Sequence, residues 1–128
     1  MTIGSQVTIP PIPHGSTNEK IIVGKLVADL LAQDCLLTVY DGGEDVVVLS
    51  NDAETIFKAL ASTDSDVIRV TTATGQRLGW VLLIWGNDCD IISDYNLSLD
   101  SLISGANSVA DELSDEAASM HAAERGVR

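Results

Sequence analysis

The residues best suited to chemistry are the polar side chains that follow the apolar run of residues 78–85. Asn87, Asp88 and Asp90 come directly after this run, and Asp94 lies four positions beyond Asp90. Hard cations such as Ca²⁺ and Mg²⁺ bind several converging carboxylate oxygens, but the glycine and late glutamate of a calcium loop are missing here. A solvated acidic turn is the first interpretation. A small metal-dependent binding domain or enzyme that uses Asp88, Asp90 and Asp94 is the alternative.

A second acidic group surrounds a glycine pair. Asp41 precedes Gly42 and Gly43, and Glu44 and Asp45 follow them. Glycine-rich loops can hold phosphate, yet neither the phosphate-loop nor the dinucleotide pattern is present, and three carboxylates would repel a phosphate. We interpret the segment as a tight hairpin turn. Because these acids are expected in exposed loops, their pKa values should not be moved apart as an acid–base pair requires.

The histidines and cysteines do not form a reactive group. His14 and His121 have no cysteine or second histidine at ligand spacing, which argues against zinc. Cys89 is flanked by two aspartates that would raise its pKa and weaken it as a nucleophile. Cys35 is expected to fill a small apolar space. We therefore predict no catalytic residue, no bound metal, no cofactor and no enzymatic activity.

The charge balance limits the class of partner. The chain of 128 residues has 19 acidic and seven basic side chains and a net charge of −12. Direct binding to nucleic acid or to an anionic membrane is disfavoured, whereas a protein with a basic surface would be attracted. The N-terminus lacks a secretion-signal pattern and the two cysteines do not suggest a disulfide framework, so we expect a cytoplasmic protein with free thiols.

The apolar run of residues 78–85 predicts the central strand of a sheet, because it is apolar on both faces. A hairpin formed by residues 36–40 and 46–49 precedes it, and strands at residues 66–72 and 90–94 flank it. Alternation places Trp80 and Trp85 on opposite faces. We expect helices to cover one face and an apolar strip around one tryptophan to remain on the other. The N-terminal arm, the C-terminal helix or another molecule would cover that strip, so a structural homo-oligomer is a further alternative.

Helices occupy the remaining segments. Ser16 and Glu19 form a capping box that opens a helix to about Gln33. Three more helices are predicted, one capped by Ser50 and Asn51 with Ile56, Phe57 and Leu60 buried, one from Ser98 that ends at Gly105, and one after residue 106.

The predicted fold is α+β in the order αββαβββαα, with a mainly antiparallel five-stranded sheet, a hairpin plus a three-stranded meander, packed by helices. Residues 1–15 form an extended, proline-containing arm whose Ile3, Val7, Ile9 and Ile12 could dock on the open sheet face or a neighbouring subunit. Residues 16–105 form an acidic α+β domain, and residues 106–128 form an amphipathic, partly frayed helix.

Three segments carry a resemblance to known proteins: LTVYDGGEDVVVLSNDAETIFKAL, ASTDSDVIRV and GWVLLIWGNDCDIISDYN. Together they resemble a group of small uncharacterised bacteriophage and prophage proteins, in which a hairpin with a Tyr-Asp-Gly turn precedes a short helix, a Thr-Asp step and a Gly-Trp-Val strand. The resemblance covers about residues 36–102. Since the group has no assigned activity, it implies only a setting, that of a phage or mobile-element accessory protein in a bacterial cytoplasm. Interference with a host nucleic-acid-handling system follows by analogy alone.

These observations favour a non-enzymatic acidic protein that binds a basic protein surface, including a surface that normally holds nucleic acid. Residues 16–105 contain 14 of the 19 acidic side chains and five of the seven basic ones, so the charge belongs to the folded part. The candidate surface consists of Asp41, Glu44, Asp45, Asp88, Asp90 and Asp94, with Trp80 and Trp85 as apolar contacts.

Overall fold

The computed structural model describes the backbone of residues 9–126 and the side chains of residues 9–116. The described elements are α1 (Thr17–Ala32), β1 (Cys35–Asp41), β2 (Glu44–Ser50), α2 (Ala53–Ala59), β3 (Ser65–Thr72), β4 (Arg77–Ile84), β5 (Ile92–Tyr95) and α3 (Ser104–Gly126). Short 3₁₀ turns at Asp88–Asp90 and Leu97–Leu99 flank β5. The α+β class and the order of elements are as predicted, except that the short helix expected before Gly105 is a single 3₁₀ turn.

The five strands form one antiparallel sheet in the order β2-β1-β3-β4-β5. The sequence predicted β4 as the central strand, and this is wrong, because β3 lies at the centre between β1 and β4. Apolar residues on both faces of β4 suggested the central position. The structure leaves Trp80 and Leu82, on the face that the helices do not cover, only half-buried.

One face of the sheet and the three helices form a single core. The buried side chains of this core include Ile22, Leu26, Leu30, Leu37, Val39, Ile56, Leu60, Ile68, Val70, Val81 and Leu83. Their burial accounts for most of the stabilisation, at about 25 cal/mol per Å² of apolar surface removed from water. The two faces of β4 divide the tryptophans as predicted. Trp85 packs against this core, and Trp80 lies on the opposite face across from Arg69.

The helix ends follow the capping signals in part. Ser16 and Glu19 form the predicted capping box at the start of α1. Asp52, rather than Ser50 or Asn51, is the N-cap of α2. Gly105 was predicted to end a helix but lies in the first turn of α3, where a Cβ would overlap the Asp29 carboxylate of α1. The glycine therefore allows α1 and α3 to approach closely.

The N-terminal segment contacts the helices rather than the open sheet face. Pro10 packs against Gly24 of α1, and Ile12 is buried in the core, whereas Ile9 is exposed. The predicted contacts of Ile3 and Val7 lie outside the described residues. None of the helices in residues 9–126 combines the length and apolarity that a membrane span requires.

Candidate functional site

Three connections meet at one end of the sheet, because neighbouring strands are antiparallel. They are the hairpin turn at residues 42–43, the loop at residues 60–64 before β3, and the connection at residues 85–91 between β4 and β5. None of them contains a lysine or an arginine. The exposed carboxylates in these connections and beside them are those of Glu44, Asp45, Asp64, Asp88 and Asp90, and we call these five residues the acidic end.

The acidic end is broad and only partly neutralised. Four steps between neighbouring strands, each about 4.8 Å, spread it over about 19 Å. Asp45 forms an ion pair with Arg69 at 3.0 Å. The other ion pairs among the described residues each lie within one helix. Lys25–Asp29 joins neighbouring turns of α1, and Lys58–Glu54 joins neighbouring turns of α2. Four of the five carboxylates therefore have no cationic partner within the described part of the chain.

Asp94 does not belong to this group. It lies on the edge strand β5 opposite Leu82, whereas Asp90 lies in the 3₁₀ turn before that strand. The strand predicted at residues 90–94 therefore begins at Ile92 and does not include Asp90. Within the described residues, no group of three or more His, Cys, Asp or Glu side chains is arranged to hold a metal ion.

Asp41 is buried, contrary to its prediction as an exposed turn residue. It is the last residue of β1, its side chain is 4% exposed, and its partner across the strand pair is Asp66, which is 1% exposed. The Oδ2 atom of Asp66 accepts hydrogen bonds from the Ala61 amide at 2.8 Å and from the Trp85 indole N–H at 2.7 Å. Asp41 therefore supports the acidic end from inside and does not form part of its surface.

The two buried carboxyl groups belong to residues that are paired across adjacent strands. Asp66 Oδ1 and Asp41 Oδ2 are buried and have no hydrogen-bond partner among the described residues, and two negative charges there would be costly. Burial, and next the hydrogen bond to Asp41, raise the pKa of Asp66 to about 7. The same hydrogen bond lowers the pKa of Asp41. The pKa values are thus moved apart as in an acid–base pair, but both groups are shielded from any substrate.

Glu19 fixes the connection between β4 and β5. Its side chain is 1% exposed, and its Oε2 atom accepts the backbone N–H groups of Gly86 at 2.7 Å and of Asn87 and Asp88 at 2.9 Å each. Its Oε1 atom accepts the Ser16 amide at 2.8 Å. Four hydrogen bonds to one buried carboxylate hold this connection against the first turn of α1.

Asp88 is held from the same helix terminus. Its Oδ1 atom accepts a hydrogen bond from the Ser16 hydroxyl at 2.9 Å, and its Oδ2 atom accepts one from the Asn18 amide at 3.1 Å. The bond from Asn18, and then the bond from Ser16, lower the pKa of Asp88. Neighbouring Cys89 is half-buried, and burial followed by Asp88 raises the pKa of its thiol, which agrees with the predicted lack of reactivity.

A cleft of about 480 Å³ opens beside these contacts. Its lining includes Asp64, Asp88, Glu19 and the half-buried Trp85. Carboxylates around an indole ring provide the surroundings that a lysine or arginine side chain prefers.

The opposite sheet face has a different character. A groove of about 640 Å³ there is lined by Trp80 together with Arg69 and Arg77. Arg69 also stacks over the Tyr40 ring, with 5.3 Å from its guanidinium carbon to the ring centroid. Trp80 and Trp85 therefore do not form one apolar contact surface.

Sequence reasoning missed three residues of this site. Glu19 was recognised only as a helix cap, although its second oxygen binds a connection far along the chain. Asp64 and Asp66 were not singled out, and no local signal identifies Asp66 as buried, since its burial depends on pairing with β1. Comparison with protein-family models, curated proteins and solved structures found no match.

Proposed function

We propose that the protein is a non-enzymatic interaction protein whose acidic end binds a basic surface of another protein. The observation that carries this proposal is the convergence of three connections with acidic residues in or beside them at one end of the sheet, two of which are fixed from inside by the buried carboxylates of Glu19 and Asp66. Bringing like charges together opposes folding. A binding role gives this arrangement a use.

Fixed loops make the surface suitable for recognition. Glu19 holds residues 86–88, and Asp66 holds Ala61 and Trp85. Because these contacts are made before any partner arrives, less conformational entropy is lost on binding. The cleft beside Trp85 gives one lysine or arginine of the partner a defined position, with Asp64 and Asp88 on its sides and the indole ring as a cation–π surface.

Partners whose basic surface normally holds nucleic acid are included in the proposal, because carboxylates on a rigid surface can occupy the positions of phosphates. The phage or mobile-element setting and the bacterial cytoplasm implied by the resemblance remain part of the same proposal.

A charge-matched comparison tests the proposal. The first variant combines Glu44→Gln, Asp64→Asn and Asp90→Asn, and the second combines Asp111→Asn, Asp115→Asn and Glu116→Gln on α3. All six side chains are exposed, and both variants lose the same charge. Immobilised protein is used to capture basic proteins from a bacterial lysate at low and at high salt. We expect the first variant to lose salt-sensitive capture and the second to retain it, and equal losses in both would contradict the proposal.

A further inference from the structure

The Asp41–Asp66 pair joins all three connections of the acidic end. Asp41 lies immediately before the hairpin turn, and Asp66 binds Ala61 of the loop before β3 and Trp85 at the start of the β4–β5 connection. Its two unpartnered oxygens, Asp66 Oδ1 and Asp41 Oδ2, are buried. We propose that one proton shared by these carboxyl groups holds the three connections together, and that its loss loosens them.

The groups around the pair provide no substitute for the proton. Across from Asp41 on β2 lies Glu44, and the loop before β3 contributes Asp64. On the side of α1, Glu19 lines the cleft beside Trp85. No lysine or arginine of the described residues forms an ion pair with either member of the pair.

Removing the proton therefore leaves two buried negative charges in adjacent strands, with no ion-pair partner among the described residues. Repulsion between them is relieved when the carboxyl groups separate and admit water. Separation would move the hairpin turn away from the loop before β3, and would weaken the hold of Asp66 on Ala61 and Trp85. This inference deepens the proposed function, since it would make the order of the binding surface depend on pH. It can be tested without any partner.

The test follows side-chain carboxyl carbons and the two indole N–H groups by NMR between pH 5 and pH 9. Histidine changes charge in the same range, and His14 stands next to Gly15, over which the Trp85 ring packs. Both histidines are therefore replaced by glutamine in the background protein. We expect the Asp66 carboxyl carbon and the Trp85 indole signal to shift together with a midpoint near pH 7, while the Trp80 indole signal stays in place.

Two variants decide the result. In Asp66→Asn the amide can donate to Asp41 and its oxygen can accept from Ala61 and Trp85, so the transition of the Trp85 indole should disappear with the connections held closed. Asp41→Asn should act in the same way and serves if the first variant fails to fold. Asp111→Asn on the exposed side of α3, away from the acidic end, is the control and should keep the transition. A flat Trp85 signal in the background protein, or a transition that persists in both Asp41→Asn and Asp66→Asn, would overturn the inference. If the titration is observed but the protein binds no basic partner, the proposed function is contradicted and this inference stands.

Discussion

The carboxylate of Glu19 lies 2.9 Å from the backbone nitrogen of Asp88, and so joins the first turn of α1 to the connection between β4 and β5. The same carboxylate accepts the amides of Gly86 and Asn87. Three consecutive N–H groups that point at one oxygen form an anion-binding nest, and here the anion is part of the chain. The nest fixes the part of the acidic end that carries Asp88 and Asp90.

Replacing Glu19 with glutamine should destabilise the protein strongly. The amide has one acceptor oxygen and no charge, so several of the four N–H groups would lose a charged partner, at about 1.5–3 kcal/mol for each such hydrogen bond before relaxation. We expect the free energy of unfolding, measured with urea, to fall by about 3 kcal/mol. Glu112→Gln on the exposed side of α3 is the control and should change it by less than about 0.5 kcal/mol. A loss below about 1 kcal/mol for Glu19→Gln would show that the nest contributes little.

The Asp66 pair predicts a fall in stability as the pH rises from 5 to 8. Because the pKa of Asp66 is raised to about 7, the folded protein keeps a proton that the unfolded chain has released above about pH 4. The free energy of unfolding can fall by at most about 1.4 kcal/mol per pH unit up to about pH 7, and we expect a total fall of about 2 kcal/mol between pH 5 and pH 8. The lowered pKa of Asp41 acts only below about pH 4, outside this range.

Urea unfolding of the wild-type protein and of Asp66→Asn at both pH values measures this contribution. Asparagine has no proton to release, so the variant should lack this part of the pH dependence and should be the more stable protein at pH 8. Equal slopes for the two proteins would mean that Asp66 is ionised throughout.

Gly15 lies against the Trp85 ring, so a single methyl group added at this position should disturb the cleft. Its φ is 106°, and a Cβ there would lie 2.9 Å from the Trp85 ring. Gly43 also has a positive φ, 91°, but a Cβ there would meet nothing within 4 Å. Both alanine variants incur backbone strain of about 1 kcal/mol, and Gly15→Ala should cost about 1–2 kcal/mol more because Trp85 must move. Thermal unfolding of the two variants compares them directly, and equal losses would show that the ring moves aside freely.

Divalent metal should leave the stability almost unchanged. Both oxygens of Asp88 are already engaged by Ser16 and Asn18, and Asp94 lies apart on β5. We expect millimolar Ca²⁺ or Mg²⁺ to shift the melting temperature by less than about 1 °C, since a ligand stabilises only the state that binds it. A shift of several degrees that is lost in both Asp88→Asn and Asp90→Asn would instead establish the metal-binding alternative.

Local patterns in the sequence predicted most of the fold. The capping box at Ser16, the glycine pair of the hairpin and the alternation along β4 depend on neighbours within a few residues. They gave the helix start, the turn and the separation of Trp80 from Trp85. The central position of β3 was missed because strand order depends on which distant segments pair. Because the open face of β4 is also apolar, its sequence has the pattern that is typical of a central strand.

The candidate site was predicted only in its exposed part. Glu44, Asp45, Asp88 and Asp90 are turn and loop acids that local signals identify. Asp41 was misplaced on the surface because the glycines that follow it are typical of a turn. Its burial arises from pairing with Asp66, a contact between residues 25 positions apart that no local spacing reveals.

The proposed role of the acidic end is tested most sharply by mapping the surface that receives a basic ligand. Backbone amide signals are recorded by NMR while a short oligolysine peptide is added at low salt and then at high salt. If the acidic end is the binding surface, shifts will be concentrated at residues 42–45, 62–64 and 85–90. They will vanish in the Glu44→Gln, Asp64→Asn and Asp90→Asn triple variant and persist in the α3 triple variant. Shifts spread evenly over all exposed acids, or centred on residues 111–116, would contradict the proposed role.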